Sequence, residues 1–152
     1  MMSKPSTVQL ISVIREHLSD AIAPAVSDAG QQKLLAMIDH LLQTIAVRAE
    51  HEIDWMINHV HDVVALADDM VNTASTPAAV IEALDRYREQ HQVSLTASAV
   101  TANYGLAAAV LAAILEATVT DTGEHGSAAR RLLQRDVARG VQVVGEFELV
   151  PP

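Results

Sequence analysis

Between Gln31 and Thr76 the chain has neither glycine nor proline. With both helix breakers missing, the hydrophobic pattern decides what this stretch becomes. Leu34, Ile38, Leu41, Leu42, Ile45, Ala49, Ile53, Met56, Val60, Val63, Ala67, Met70 and Val71 hold one face for about ten turns, the repeat of an amphipathic helix. One very long helix, or two nearly collinear ones, is expected. A straight helix of this length would span on the order of 60 Å, well beyond a compact domain of this size. Either it bends or breaks around Glu50 to Asp54, or one end projects and is covered by another subunit.

The remaining residues fit the same class. Half of the 152 residues are apolar, yet there is one Phe, one Trp and two Tyr, so a core must be built from Ala, Val, Leu and Ile. Close-packed helices suit that composition better than a sheet sandwich. The predicted fold is all-α, an up-and-down bundle of about five helices, forming one domain over residues 1–140 with an arm over 141–152.

The other helices announce their ends. Ser6 lies three residues before Gln9, the capping-box spacing, and a first helix follows to about Ala23, stopped by Pro24. Ser27, Asp28 and Gly30 make the turn into the long run. Thr76 as cap and Pro77 at the first helical position open a third helix that reaches about His91. A fourth, from about Val93 to Thr118, is apolar almost all round, which predicts a central position. One of its faces carries Val93, Val100, Tyr104, Leu111 and Ile114, the other the small residues Ser98, Ala102, Gly105, Ala109 and Ala113. Asp121 to Gly126 reads as a loop, Ser127 as the cap of a fifth helix, and Gly140 as its end. Val141 to Val150 then has a strand-like composition without a partner strand, so it is expected to dock as an apolar arm, on its own bundle or on a second subunit.

Charge excludes some functions. The net charge of −9 argues against nucleic-acid binding, which needs basic groups to displace counterions from phosphates. Four of the ten Lys and Arg fall between Arg130 and Arg139, giving Ser127 to Gly140 a local charge of +4 − 1 = +3. Acidic surface, in this subunit or another, is the natural partner of that segment. Absence of cysteine removes disulfides and thiol catalysis, and Met1 to His17 lacks the apolar core of a secretion signal; a cytoplasmic location is expected. Val93 to Leu115 has no charged residue and is about long enough to cross a bilayer. Its Ser, Thr, Asn and Gly, and flanks without basic anchors, favour a buried helix instead and no membrane.

The densest chemistry sits in the middle of the long run. Arg48, Glu52, Trp55, His59, Asp62 and Leu66 follow in steps of four, three, four, three and four along one flank of the apolar stripe. Arg48 can then pair with Glu52, and His59 with Asp62. Glu52 falls within the apolar face, where a carboxylate needs a partner or a proton. Two readings compete. In one, this flank is a salt-bridged structural interface with Trp55 as packing. In the other it walls a pocket in which Glu52 and His59 are an acid–base pair, Arg48, Trp55 and Asp62 line the wall, and Asn103 and Tyr104 face them. His51, Asp54, Asn58 and His61 point away from the stripe and are expected in solvent. Arg131, Arg135 and Arg139 form a second stripe that could hold an anionic ligand such as a coenzyme A phosphate.

No metal is expected. Paired Glu-x-x-His and His-Glu-x-x-His are missing, and His59-x-x-Asp62 or His17-x-x-Asp20 supplies only two ligands. Nucleotide-binding loops and nucleophile elbows are also missing, so no cofactor is expected.

The opening Lys4-Pro-Ser-Thr-Val-Gln-Leu10, with Val13-Ile-Arg-Glu-His-Leu18 and Ile22-Ala-Pro24-Ala25, resembles the start of the uncharacterised bacterial family known as domain of unknown function 6285. Members are small helical proteins often encoded beside aminoglycoside-phosphotransferase-like kinases and acyl-CoA dehydrogenases. The resemblance covers about the first third of the chain and implies an accessory role near acyl-CoA metabolism. It brings no catalytic residues. The expectation is a non-catalytic binding or accessory protein that forms a homo-oligomer, a dimer above all, with a possible small-molecule ligand; the alternative is a small enzyme using Glu52 and His59.

Overall fold

The computed structural model describes residues 4–72, 76–120 and 123–144. They form five α-helices: α1 (Thr7–His17), α2 (Ala29–Val71), α3 (Ala78–Gln90), α4 (Ala97–Ala117) and α5 (Glu124–Val144). Among the described residues there is no strand, so the fold is an all-α helical bundle, as the composition predicts.

Capping chemistry places most of the ends. The Ser6 hydroxyl accepts from the Gln9 amide at 3.2 Å while the Gln9 side chain accepts from the Ser6 amide at 2.8 Å, the reciprocal capping box read from the sequence. After α1 the backbone loosens into a π turn (Leu18–Ile22) and a 3-10 turn carrying Pro24 (Ala23–Ala25). Asp28 then caps α2 through the Gln31 amide at 2.9 Å. Thr96 caps α4 through the Ala99 amide, and residues 91–95 run outside any helix.

Several expected ends move. Thr76 is not the cap of α3: its hydroxyl turns back to donate to the Met70 carbonyl at 2.5 Å, and Pro77 takes the cap position. α5 starts a turn before Ser127, whose amide already bonds the Gly123 carbonyl at 3.1 Å. It also continues past Gly140 to Val144, because a glycine without a left-handed φ interrupts nothing. The expected extended arm is therefore helical over 141–144, and the rest of it lies outside the described residues.

α2 is unbroken for 43 residues. The chain nevertheless separates into two compact units, one of residues 1–52 and 141–152 and one of Ile53–Gly140, and the boundary falls inside the Glu50 to Asp54 window where a bend or break was expected.

In the second unit α3 packs along α4, and Val63, Ala67 and Met70 of α2, Val80 and Leu84 of α3, Ala107, Val110, Leu111 and Ile114 of α4 and Ala129 of α5 form one core. α4 is the most apolar helix, and among the described residues the one long and apolar enough to cross a membrane. It is not buried all round: Val100, Leu111 and Ile114 are inside, whereas Ser98, Ala102, Gly105 and Ala109 are exposed.

The first unit is built differently. α1 is held to α2 by a bidentate Arg15–Asp39 pair at 2.7 and 3.0 Å, which keeps the Asp39 carboxyl below its ordinary pKa. Among its described residues Ile11 alone is a buried apolar side chain.

Candidate functional site

The carboxylate expected to be costly is not buried. Glu52 accepts from the Arg48 guanidinium at 2.5 and 2.9 Å, one turn away, and it stays partly open to water. This pair belongs to the first unit. A solvent-reachable i, i+4 ion pair contributes a few tenths of a kcal/mol and leaves no unmet need.

The demanding group is His59, in the second unit. Its side chain is 1 % exposed and lies between α4 and α5. The ring is tilted against Tyr104, centroids 5.0 Å apart, and its Nδ1 is 3.7 Å from Oδ1 of Asp136. That separation is too long for a hydrogen bond, and Nδ1 is a buried polar atom without a partner. The other oxygen of Asp136 accepts the Tyr104 hydroxyl at 2.5 Å. Burial, aided by the positive charges of Arg135 and Arg139, pushes the His59 pKa below its usual value against the pull of Asp136 and Asp62. Burial and the bond to Asp136 raise Tyr104 to about 12. Tyr104 thus stays a donor and His59 stays neutral near pH 7.

The pairing of His59 with Asp62 is not formed. Asp62 is taken by Arg135, one of the three arginines of the basic stripe. Arg139 sits 5.8 Å over the Trp55 ring and donates to the Trp55 carbonyl at 3.3 Å. Two of the three expected anion-binding arginines thus tie α5 to α2 within the chain, while Arg131 lines a shallow cleft of about 330 Å³ with Asp62, Leu66 and Arg135. The expected wall residues divide: Tyr104 meets His59, and Asn103 serves a different place.

That place is a cleft of about 430 Å³ bounded by α2, α3, the 91–95 segment and α4. Ile57, Val60, Val64, Tyr87, Leu95 and Val100 supply apolar walls; His61, Asp68, His91 and Asn103 supply polar points. The Asn103 amide grips the backbone of Gln92 twice, accepting from its N–H at 2.8 Å and donating to its carbonyl at 2.7 Å. Tyr87 and His91 stack at 5.5 Å beside it. Arg88 pairs with Asp68 at 2.6 Å, so the one carboxylate of the cleft is already neutralised. A cleft of this size, mostly apolar with a few placed polar groups, suits a small organic ligand. Asn103→Ala should free both Gln92 groups and cost about 1–2 kcal/mol; amide exchange at Gln92 faster by tenfold or more is the expected readout, and unchanged exchange would show that the clamp does not hold the segment.

A third cleft, of about 590 Å³, lies in the first unit between α1 and α2. Its wall mixes polar and apolar side chains, and its arginine, Arg15, is committed to Asp39. Among the described residues no three His, Asp or Glu side chains converge as a metal site would require.

The sequence singles out His59 but not the neighbouring Asp136. The available signal was Asp136 standing as the sole acidic residue within the basic run Arg130 to Arg139. No protein family, curated protein or solved structure matches the chain.

Proposed function

We propose that this chain is a non-catalytic helical binding protein that works as a homo-oligomer and takes a small apolar ligand in the cleft between α2, α3 and α4. The observation that supports this reading best is the cleft, whose outer wall is held by the two hydrogen bonds between Asn103 and the Gln92 backbone. A medium-length acyl chain is the simplest ligand of that shape and polarity. The N-terminal resemblance to a family encoded beside acyl-CoA dehydrogenases agrees with it.

The rival reading, an enzyme using Glu52 and His59 as acid and base, needs both groups to reach one substrate. Glu52 is engaged by Arg48, and buried His59 lines none of the three clefts. A cytoplasmic, accessory role remains part of the proposal.

The test is binding of decanoate and of the dye 1-anilinonaphthalene-8-sulfonate, followed by calorimetry and fluorescence. Saturable binding is expected, weakened about tenfold by Leu95→Asp, since burying one leucine is worth roughly 1.5–3 kcal/mol. Leu95 is 75 % exposed in the unliganded chain, so this change leaves the core intact. No saturable binding, or binding indifferent to Leu95→Asp, would reject the cleft.

A further inference from the structure

One stripe of α2 has two fates. Leu34, Ile38, Leu41, Ile45, Arg48, Glu52, Trp55, His59, Asp62 and Leu66 follow one another in alternating steps of four and three, the heptad spacing of a helix seam. From Trp55 onward the chain covers this seam itself: α5 brings Arg135, Asp136 and Arg139, and α4 brings Tyr104. In the first unit the same seam is open. Leu34, Ile38, Leu41 and Ile45 are 37–58 % exposed, as are flanking Met37 and, one turn apart on α1, Leu10 and Ile14.

We infer that the open seam is the interface with a second copy of this chain, two α2 helices pairing side by side in parallel over Leu34 to Ile45. The inference rests on the homo-oligomeric part of the proposed function and names its surface. Three observations point to a second copy. In heptad terms Ile38 and Ile45 occupy the a positions and Leu34 and Leu41 the d positions, the distribution that favours two parallel strands over three or four. The seven exposed side chains leave an apolar area on the order of 600 Å² per copy, near the roughly 800 Å² each partner gives to a standard interface once a polar rim is added. The seam also ends where the Arg48–Glu52 pair begins, so the apolar stretch has a defined length and its charged terminus fixes register.

The chain contains no cysteine, which makes the geometry directly testable. Sedimentation equilibrium at 10 µM should give twice the 16.3 kDa chain mass. Leu41→Glu with Ile45→Glu should weaken association at least a hundredfold, whereas Val119→Glu, at an equally apolar and 74 % exposed position outside the seam, should not. A single Leu41→Cys should form an intermolecular disulfide under mild oxidation, because a d position meets its own copy in a parallel pair; this arm decides the matter should the acidic variant fail to fold. A monomer at 50 µM, a dimer indifferent to the glutamates, absence of the crosslink, or a monomer that instead binds anionic phospholipid vesicles through Leu41 and Ile45 would each overturn the inference. Decanoate binding is measured separately, so an empty cleft leaves the dimer standing and a monomer leaves the cleft standing.

Discussion

Leu84→Ala and Ile114→Ala will each lower the unfolding free energy by about 2–5 kcal/mol, read from urea denaturation followed by circular dichroism. Both side chains are among the largest that are fully buried, and both sit in the cluster where α2, α3, α4 and α5 meet. The loss has two parts, the transfer of the removed atoms to water and the cavity left behind, and a close-packed core relaxes only partly to fill it. The core is built from Ala, Val, Leu and Ile with almost no aromatic bulk, so few neighbours are large enough to swing into the gap. A loss below about 1 kcal/mol in both variants would mean that this cluster does not carry the stability of its unit.

The second large effect is on the acid limb. His59 is buried neutral, so its folded pKa lies below the unfolded value of about 6.5. Above that pH both states hold the imidazole neutral, and its contribution is constant. As pH falls below about 6.5 the unfolded chain takes up the proton first, so stability drops, and the drop levels off only once pH is below the folded pKa. One proton gives a slope of at most about 1.4 kcal/mol per pH unit. The groups around the ring oppose one another: Asp136 and Asp62 favour the charged form, Arg135 and Arg139 resist it, and Tyr104 stays a neutral donor to Asp136. His59→Phe keeps a ring in place and removes the titration, so its stability should be flatter between pH 7 and pH 5. Identical slopes in the two chains would assign the acid sensitivity to other groups.

Local chemistry was readable from the sequence. The capping box of Ser6 and Gln9 and the helical character of the run from Gln31 to Val71 follow from residues within a turn or two of each other, whereas the choice between one helix and two nearly collinear ones does not. Several differences arise where the deciding partner lies on another element. The helical wheel puts Glu52 in the apolar stripe, but a stripe becomes a core only where another element covers it, and among the described residues Glu52 is partly open to water. Spacing pairs His59 with Asp62, three residues on, whereas Asp62 is held by Arg135 on α5 and His59 Nδ1 is left near Asp136 without a hydrogen bond. Thr76 looked like a cap until the Met70 carbonyl at the end of α2 offered its hydroxyl a better acceptor. Gly140 looked like a stop because glycine often marks helix ends, yet in an ordinary helical φ it only weakens the helix.

Alanine, valine and leucine surfaces interlock almost equally well after a slide of one turn, so the aliphatic core of the second unit does little to choose among alternative alignments of α5. The Asp136 carboxylate does choose. Slide α5 by four residues in either direction and the position beside Tyr104 and His59 is taken by Leu132 or Gly140, neither of which accepts a hydrogen bond from a side chain. The half-buried phenol would then lose the acceptor that Asp136 gives it, at a cost of about 1 kcal/mol. One acidic residue in a basic helix therefore adds a polar contact that a shifted α5 would lose, beside those of Arg135 with Asp62 and Arg139 with the Trp55 carbonyl.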